Sequence, residues 1–160
     1  MRKRLVITAL LAVAGLAATS VPASAATGAS HDGFAAGVVR LDGAQEAPQP
    51  GDPDGRGLFG YAAFGSRLCY VLTARKIEPA TAAHIHEGPP GVAGPITVGL
   101  EAPTDGLSAD CIRVAPEGTP EGPDVLTQAE FDAIVADPSA FYVNVHNEPF
   151  PAGAIRAQLR

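Results

Sequence analysis

Arg67-Leu68-Cys69-Tyr70-Val71-Leu72-Thr73-Ala74-Arg75 reads as a β-strand with two unlike faces. Side chains alternate across a strand, so Leu68, Tyr70 and Leu72 share one face and Cys69, Val71 and Thr73 the other. Working outward, short extended segments recur between Gly/Pro-rich turns at 34–41, 57–64, 81–86, 96–100, 111–114, 141–146 and 154–159. Strands at this spacing with this punctuation predict an all-β sandwich or barrel. One helix interrupts them. Thr127-Gln128-Ala129-Glu130 is a capping box, in which Thr127 and Glu130 each satisfy an orphan N–H of the other. Leu126 and Phe131 staple that cap, Ile134 and Val135 continue the apolar face, and Asp137-Pro138 ends it. The helix is expected as a short crossover between strands.

The N-terminus carries an address. Arg2, Lys3 and Arg4 precede the apolar run 5–18, and Ala23-Ser24-Ala25 is a small-x-small cleavage site. Residues 1–25 are therefore expected as a secretory signal peptide, too short in its apolar part for a membrane anchor. Residues 26–33, including His31, are expected as a disordered tail, with the domain spanning 34–160. Cleavage leaves eight basic against seventeen acidic residues, a net charge of −9. No basic cluster is visible along the chain. That balance argues against nucleic acid and anionic membrane surfaces as partners, and no membrane insertion is expected after cleavage. The two cysteines, Cys69 and Cys111, are expected to form a disulfide in the oxidising exterior.

Three of the four histidines fall in two alternating segments. In Ala83-His84-Ile85-His86-Glu87-Gly88, His84 and His86 share a face opposite Ile85. In Phe141-Tyr142-Val143-Asn144-Val145-His146, the side chains of Tyr142, Asn144 and His146 oppose Phe141, Val143 and Val145. If the strands are neighbours, three imidazoles meet outside the apolar core. Such a set suits copper or zinc with one open position. Equally, strand histidines can hydrogen-bond a main-chain carbonyl or stack on Tyr142 without any metal. Asn144, Arg156 and Gln158 lie on polar faces and are expected to tie strand ends together. Arg156 could alternatively pair with an acidic neighbour on the sheet surface.

Other chemistries lack residues to carry them. Gly51-Asp52-Pro53-Asp54-Gly55 has too few oxygen ligands for a calcium loop and reads as a turn. The glycines of 87–95 follow no phosphate-loop pattern, and there is no Gly-x-Ser-x-Gly elbow.

The chain resembles the CHRD domain, a module found in chordin and in exported bacterial proteins. The matching motifs, in the family's order, begin with Leu41-Asp42-Gly43-Ala44-Gln45-Glu46-Ala47-Pro48 and Leu68-x-Tyr70-x-Leu72. Ala80-Thr81-Ala82-Ala83-His84-Ile85-His86-Glu87-Gly88 and Gly91-Val92-Ala93-Gly94-Pro95 follow. Tyr142-Val143-Asn144-Val145-His146 and Phe150-Pro151-x-Gly153-x-Ile155-Arg156-x-Gln158-Leu159 close the set. The resemblance implies an immunoglobulin-like Greek-key β-barrel, distantly similar to copper/zinc superoxide dismutases. Those enzymes also hold copper through a strand-borne His-x-His and a later histidine, as His84, His86 and His146 do in kind. No bridging histidine and no His/Asp zinc set accompanies them here.

Two functions stay open. One is a secreted, non-catalytic module that binds an extracellular protein or glycan. The other is a copper- or zinc-binding protein with dismutase-like redox activity.

Overall fold

The computed structural model describes residues 33–120 and 122–160; the expected leader, the tail before Gly33, and His31 lie outside the described residues. Eight strands follow in chain order: β1 Ala35–Asp42, β2 Arg56–Phe64, β3 Arg67–Arg75, β4 Ala80–Glu87, β5 Ile96–Leu100, β6 Leu107–Arg113, β7 Phe141–Asn147 and β8 Ile155–Gln158. They pair in the order β5-β4-β7-β8-β1-β2-β3-β6, every pairing antiparallel. Hairpins join β1 to β2, β2 to β3, β4 to β5 and β7 to β8. The three remaining links cross over. The two halves meet edge to edge only where Asp42 of β1 opposes Arg156 of β8.

Alternation dictates the packing. Leu68, Tyr70, Leu72 and Ala74 of β3 point inward, as expected, beside Phe59 and Ala63 of β2. Ile85, Val143, Val145 and Ile155 of the other half complete one shared core. Each fully buried aliphatic side chain stabilises the fold by about 1.5–3 kcal/mol. Truncating Leu72 would cost about 2–5 kcal/mol, since it is wholly enclosed.

The helix α1, Gln128–Ala136, has the expected cap. Glu130 N donates to Thr127 Oγ1 at 3.2 Å and Thr127 N donates to Glu130 Oε2 at 2.8 Å. It buries Phe131 and Ile134 and carries the crossover from β6 to β7. Asp137, held in extended backbone by Pro138, ends it. Asp52 Oδ1 accepts from the N–H groups of Asp54 and Gly55, so the Gly51–Gly55 segment is a side-chain-closed turn.

Cys69 and Cys111 sit directly opposite on β3 and β6 and are bonded, S–S 2.04 Å, on the outer face. The sequence placed the start of this last strand too late, at 111. It begins at Leu107 because its polarity is inverted there. Ser108 points into the core while Leu107 points out to solvent, which hides the period from a hydrophobicity reading.

Candidate metal centre

Three adjacent strands build the site. On β4, β7 and β8 the face opposite the core carries His84 and His86, then Tyr142, Asn144 and His146, then Arg156 and Gln158. Register sets His84 against Asn144, His86 against Tyr142, and Asn144 against Arg156. A register shift between Ile85 and His86 interrupts the β4–β5 ladder beside the site.

Parity was legible in the sequence, but exposure was not. This face is a second, polar interior. Arg156 is 1% exposed, Asn144 3% and His86 8%. The reason lies in residues 88–95, which fold back over the sheet and are held there by their main chain. Arg156 donates from Nη1 to Val92 O at 2.8 Å and from Nη2 to Pro89 O at 3.0 Å. Gln158 Nε2 donates among the carbonyls of Gly88, Ser139 and Phe141 at 2.7–2.9 Å. Gly94 N donates to the Tyr142 hydroxyl at 3.0 Å. Arg156 is therefore a buried strut, not a sheet-surface residue paired with an acid. Arg156 and Gln158 thus join β8 to the covering loop.

Tyr142 is the centre of a stack. The His86 ring lies parallel to it, 4° and 4.8 Å away, on the β4 side. The Arg156 guanidinium lies 3.3 Å from its centroid on the β8 side. Such a cation–π contact is worth about 2 kcal/mol when desolvated.

The three imidazoles come together, with one ligand atom from each within 4.8 Å of the others. His84 Nδ1 is 3.1 Å from His146 Nε2. Two of the rings are oriented from behind. His86 Nδ1 donates to Gly94 O and His146 Nδ1 to Pro151 O, each at 3.0 Å. A neutral imidazole that donates from Nδ1 carries its lone pair on Nε2. Both Nε2 atoms face Asn144 Oδ1, at 3.1 and 3.0 Å. The Asn144 amide lies near the Glu46 carboxylate and opposes the rise of its carboxyl. Both Nε2 lone pairs thus point at one side-chain amide, across gaps of 3.1 and 3.0 Å.

Protons do not readily fill that gap. Burial, then repulsion from His146 and His86, lowers His84 to about 4, against a smaller pull from Asp124. Burial also lowers His86 and His146, with the carbonyls of Gly94 and Pro151 opposing it. A tetrahedral ion bonded at about 2.0–2.1 Å needs donors roughly 3.3 Å apart. The His84–His146 pair already has that spacing. His84 is half-buried and, among the described residues, hydrogen-bonds no main-chain carbonyl.

Sequence reasoning missed two residues. Glu46 is 8% exposed, and burial raises its carboxyl to about 7 against the opposing effects of the Ala47 N–H, Arg156 and the Asn144 amide. Gly153, at φ +147°, has no Cβ because one would collide with the Glu46 carboxylate. The carboxylate of Asp124 sits over Gly99, the residue opposite His84. Neither acid has a local pattern; only the folded loops bring them in.

A family model for the CHRD domain matches residues 38–159. The chain belongs to the CHRD family. The match spans all eight strands bar the first residues of β1, so the His-x-His strand, the covering loop and the Arg156 strut all lie within the CHRD domain. The chain matches no curated protein and no solved structure. Among the described residues, no helix is long and apolar enough to cross a membrane.

Proposed function

We propose that this CHRD domain is an exported, non-catalytic module that holds one zinc or copper ion at His84, His86 and His146. The carrying observation is the pair of imidazoles whose Nδ1–H groups are committed to Gly94 O and Pro151 O. Second-side bonds of this kind fix the tautomer and aim the Nε2 lone pair at a ligand position. His84 completes a three-nitrogen donor set suited to zinc or copper. The leader pattern of residues 1–25 and the Cys69–Cys111 bond support export. The loop closure and the histidines leave an outer surface free for an extracellular protein or glycan.

The test is metal analysis and calorimetric titration of untagged protein with zinc and with copper(II). Wild type should bind one equivalent, and His84→Ala/His86→Ala should lose it while melting as a folded protein. Failure of wild type to bind either ion, or equal binding by the double variant, would end the proposal.

A further inference from the structure

The outward rows of β1, β2, β3 and β6 form a surface the linear sequence conceals. Five of the eight basic residues after Ala25 project from it: Arg40, Arg56, Arg67, Arg75 and Arg113. Arg56 directly opposes Arg75 at one end, and Arg67 directly opposes Arg113 at the other. Like charges directly opposite across strands destabilise a sheet. At one end Asp42 of β1 already faces Arg56, whose Nη1 also donates to Pro53 O and Gly55 O. At the other end the row of Phe64, Arg67 and Arg113 holds no carboxylate, and an anion there would relieve the repulsion.

Between the arginine pairs lies an apolar plateau. Val38, Gly60, Val71 and Ala109 form one row across all four strands, with the disulfide in the row beside it. Val38, Leu58, Phe64, Val71 and Leu107 are each 41–63% exposed, five of the eight exposed large apolar side chains among the described residues. Arg67 and Arg75 are eight residues apart on β3, about 26 Å. The charges therefore stand around an exposed apolar area, not along a line.

We propose that this face docks peripherally on an anionic phospholipid surface. Arginine pairs would take headgroup phosphates, since a guanidinium binds phosphate through two parallel N–H bonds. The plateau would rest at the headgroup boundary. Charge complementarity picks the occupant: the chain is otherwise strongly acidic, and a second copy laid face to face would set arginine against arginine. A linear polyanion would need a continuous track, whereas a planar anionic partner meets both ends and the plateau together. The main chains of β2 and β3 are paired on both sides, so contact over the middle of this face strands no polar backbone. The absence of a basic run in sequence is thus no guide to the surface, because β-pairing assembles the clusters from distant segments.

The experiment is co-sedimentation of the full secreted protein with phosphatidylglycerol and with phosphatidylcholine vesicles at low and high salt. Binding should be confined to phosphatidylglycerol and weaken with salt. Each arginine near an anionic surface contributes about fivefold, so Arg56→Gln/Arg75→Gln or Arg67→Gln/Arg113→Gln should weaken binding about thirtyfold. Arg67→Gln/Arg113→Gln should melt no lower than wild type, because a like-charge pair is removed. Equal binding to both lipids, wild-type affinity in both variants, or loss of stability in Arg67→Gln/Arg113→Gln would overturn the proposal. So would binding to soluble polyphosphate without binding to vesicles, or self-association that depends on these arginines.

Discussion

Replacing Arg156 with Met tests the buried strut. The side chain makes two charge-assisted bonds, at 2.8 and 3.0 Å, to Val92 O and Pro89 O. Each such bond contributes about 1.5–3 kcal/mol, and the cation–π contact on Tyr142 adds about 2. Relief from desolvating a buried guanidinium takes back several kcal/mol. A net loss of about 3 kcal/mol is expected, measurable as a drop in urea midpoint with an unchanged slope. The loss should depend on pH, and the direction follows from Glu46. Its carboxyl is raised to about 7 even with Arg156 present. A raised carboxyl binds its proton more tightly when folded, so stability falls as pH rises from about 4.5 to 7. Without Arg156 the carboxyl rises further and the fall extends higher. Arg156→Met should therefore cost more at pH 7.5 than at pH 5. A loss below about 1 kcal/mol would mean the loop is not held by these bonds. The same loss at both pH values would mean Glu46 does not feel the guanidinium.

Reduction, or Cys69→Ser/Cys111→Ser, should cost about 4 kcal/mol for a separation of 42 residues, seen as a lower Tm; an unchanged Tm would contradict it. In metal-free protein His84 contributes the opposite slope to Glu46 over the same window: its share of stability is lost as pH falls from 6.5 toward 4, because the unfolded histidine gains a proton that His84, lowered to about 4, refuses. The stability difference between wild type and His84→Ala, followed by thermal melts, should therefore shrink as pH falls through that range. Gly153→Ala forces a side chain onto Glu46 at φ +147° and should cost at least about 2 kcal/mol by urea unfolding, a penalty that Glu46→Ala in the same chain should partly relieve. Intact mass of the secreted protein should place its first residue at Ala26.

What the sequence revealed and withheld divides along the range of the interaction. Leu68, Tyr70 and Leu72 declare β3 through their own period, and Thr127 and Glu130 declare a cap three residues apart. Parity alone put His84, His86 and His146 on faces opposite Ile85, Val143 and Val145. That those faces are roofed is a long-range fact: Arg156 reaches carbonyls more than sixty residues earlier in the chain. Glu46 and Asp124 join the site through loops whose composition says only turn. Ser108 and Leu107 point against their polarity, so hydrophobic patterning misjudged where β6 starts. The arginine pairs exist only in the register of β2, β3 and β6.

The covering loop is gripped by its main chain. Arg156 and Gln158 take the carbonyls of Pro89, Val92 and Gly88, while Pro90, Val92 and Ala93 turn their side chains to solvent. A clasp of that kind cannot tell one side chain from another. Outside Gly94, where a Cβ would strike Glu87 O, and Gly91, at φ +78°, the stretch can exchange its outward residues without loosening the roof over the histidines. The molecule thereby separates a fixed inner chemistry from a rewritable outer label, carried on the same eight residues.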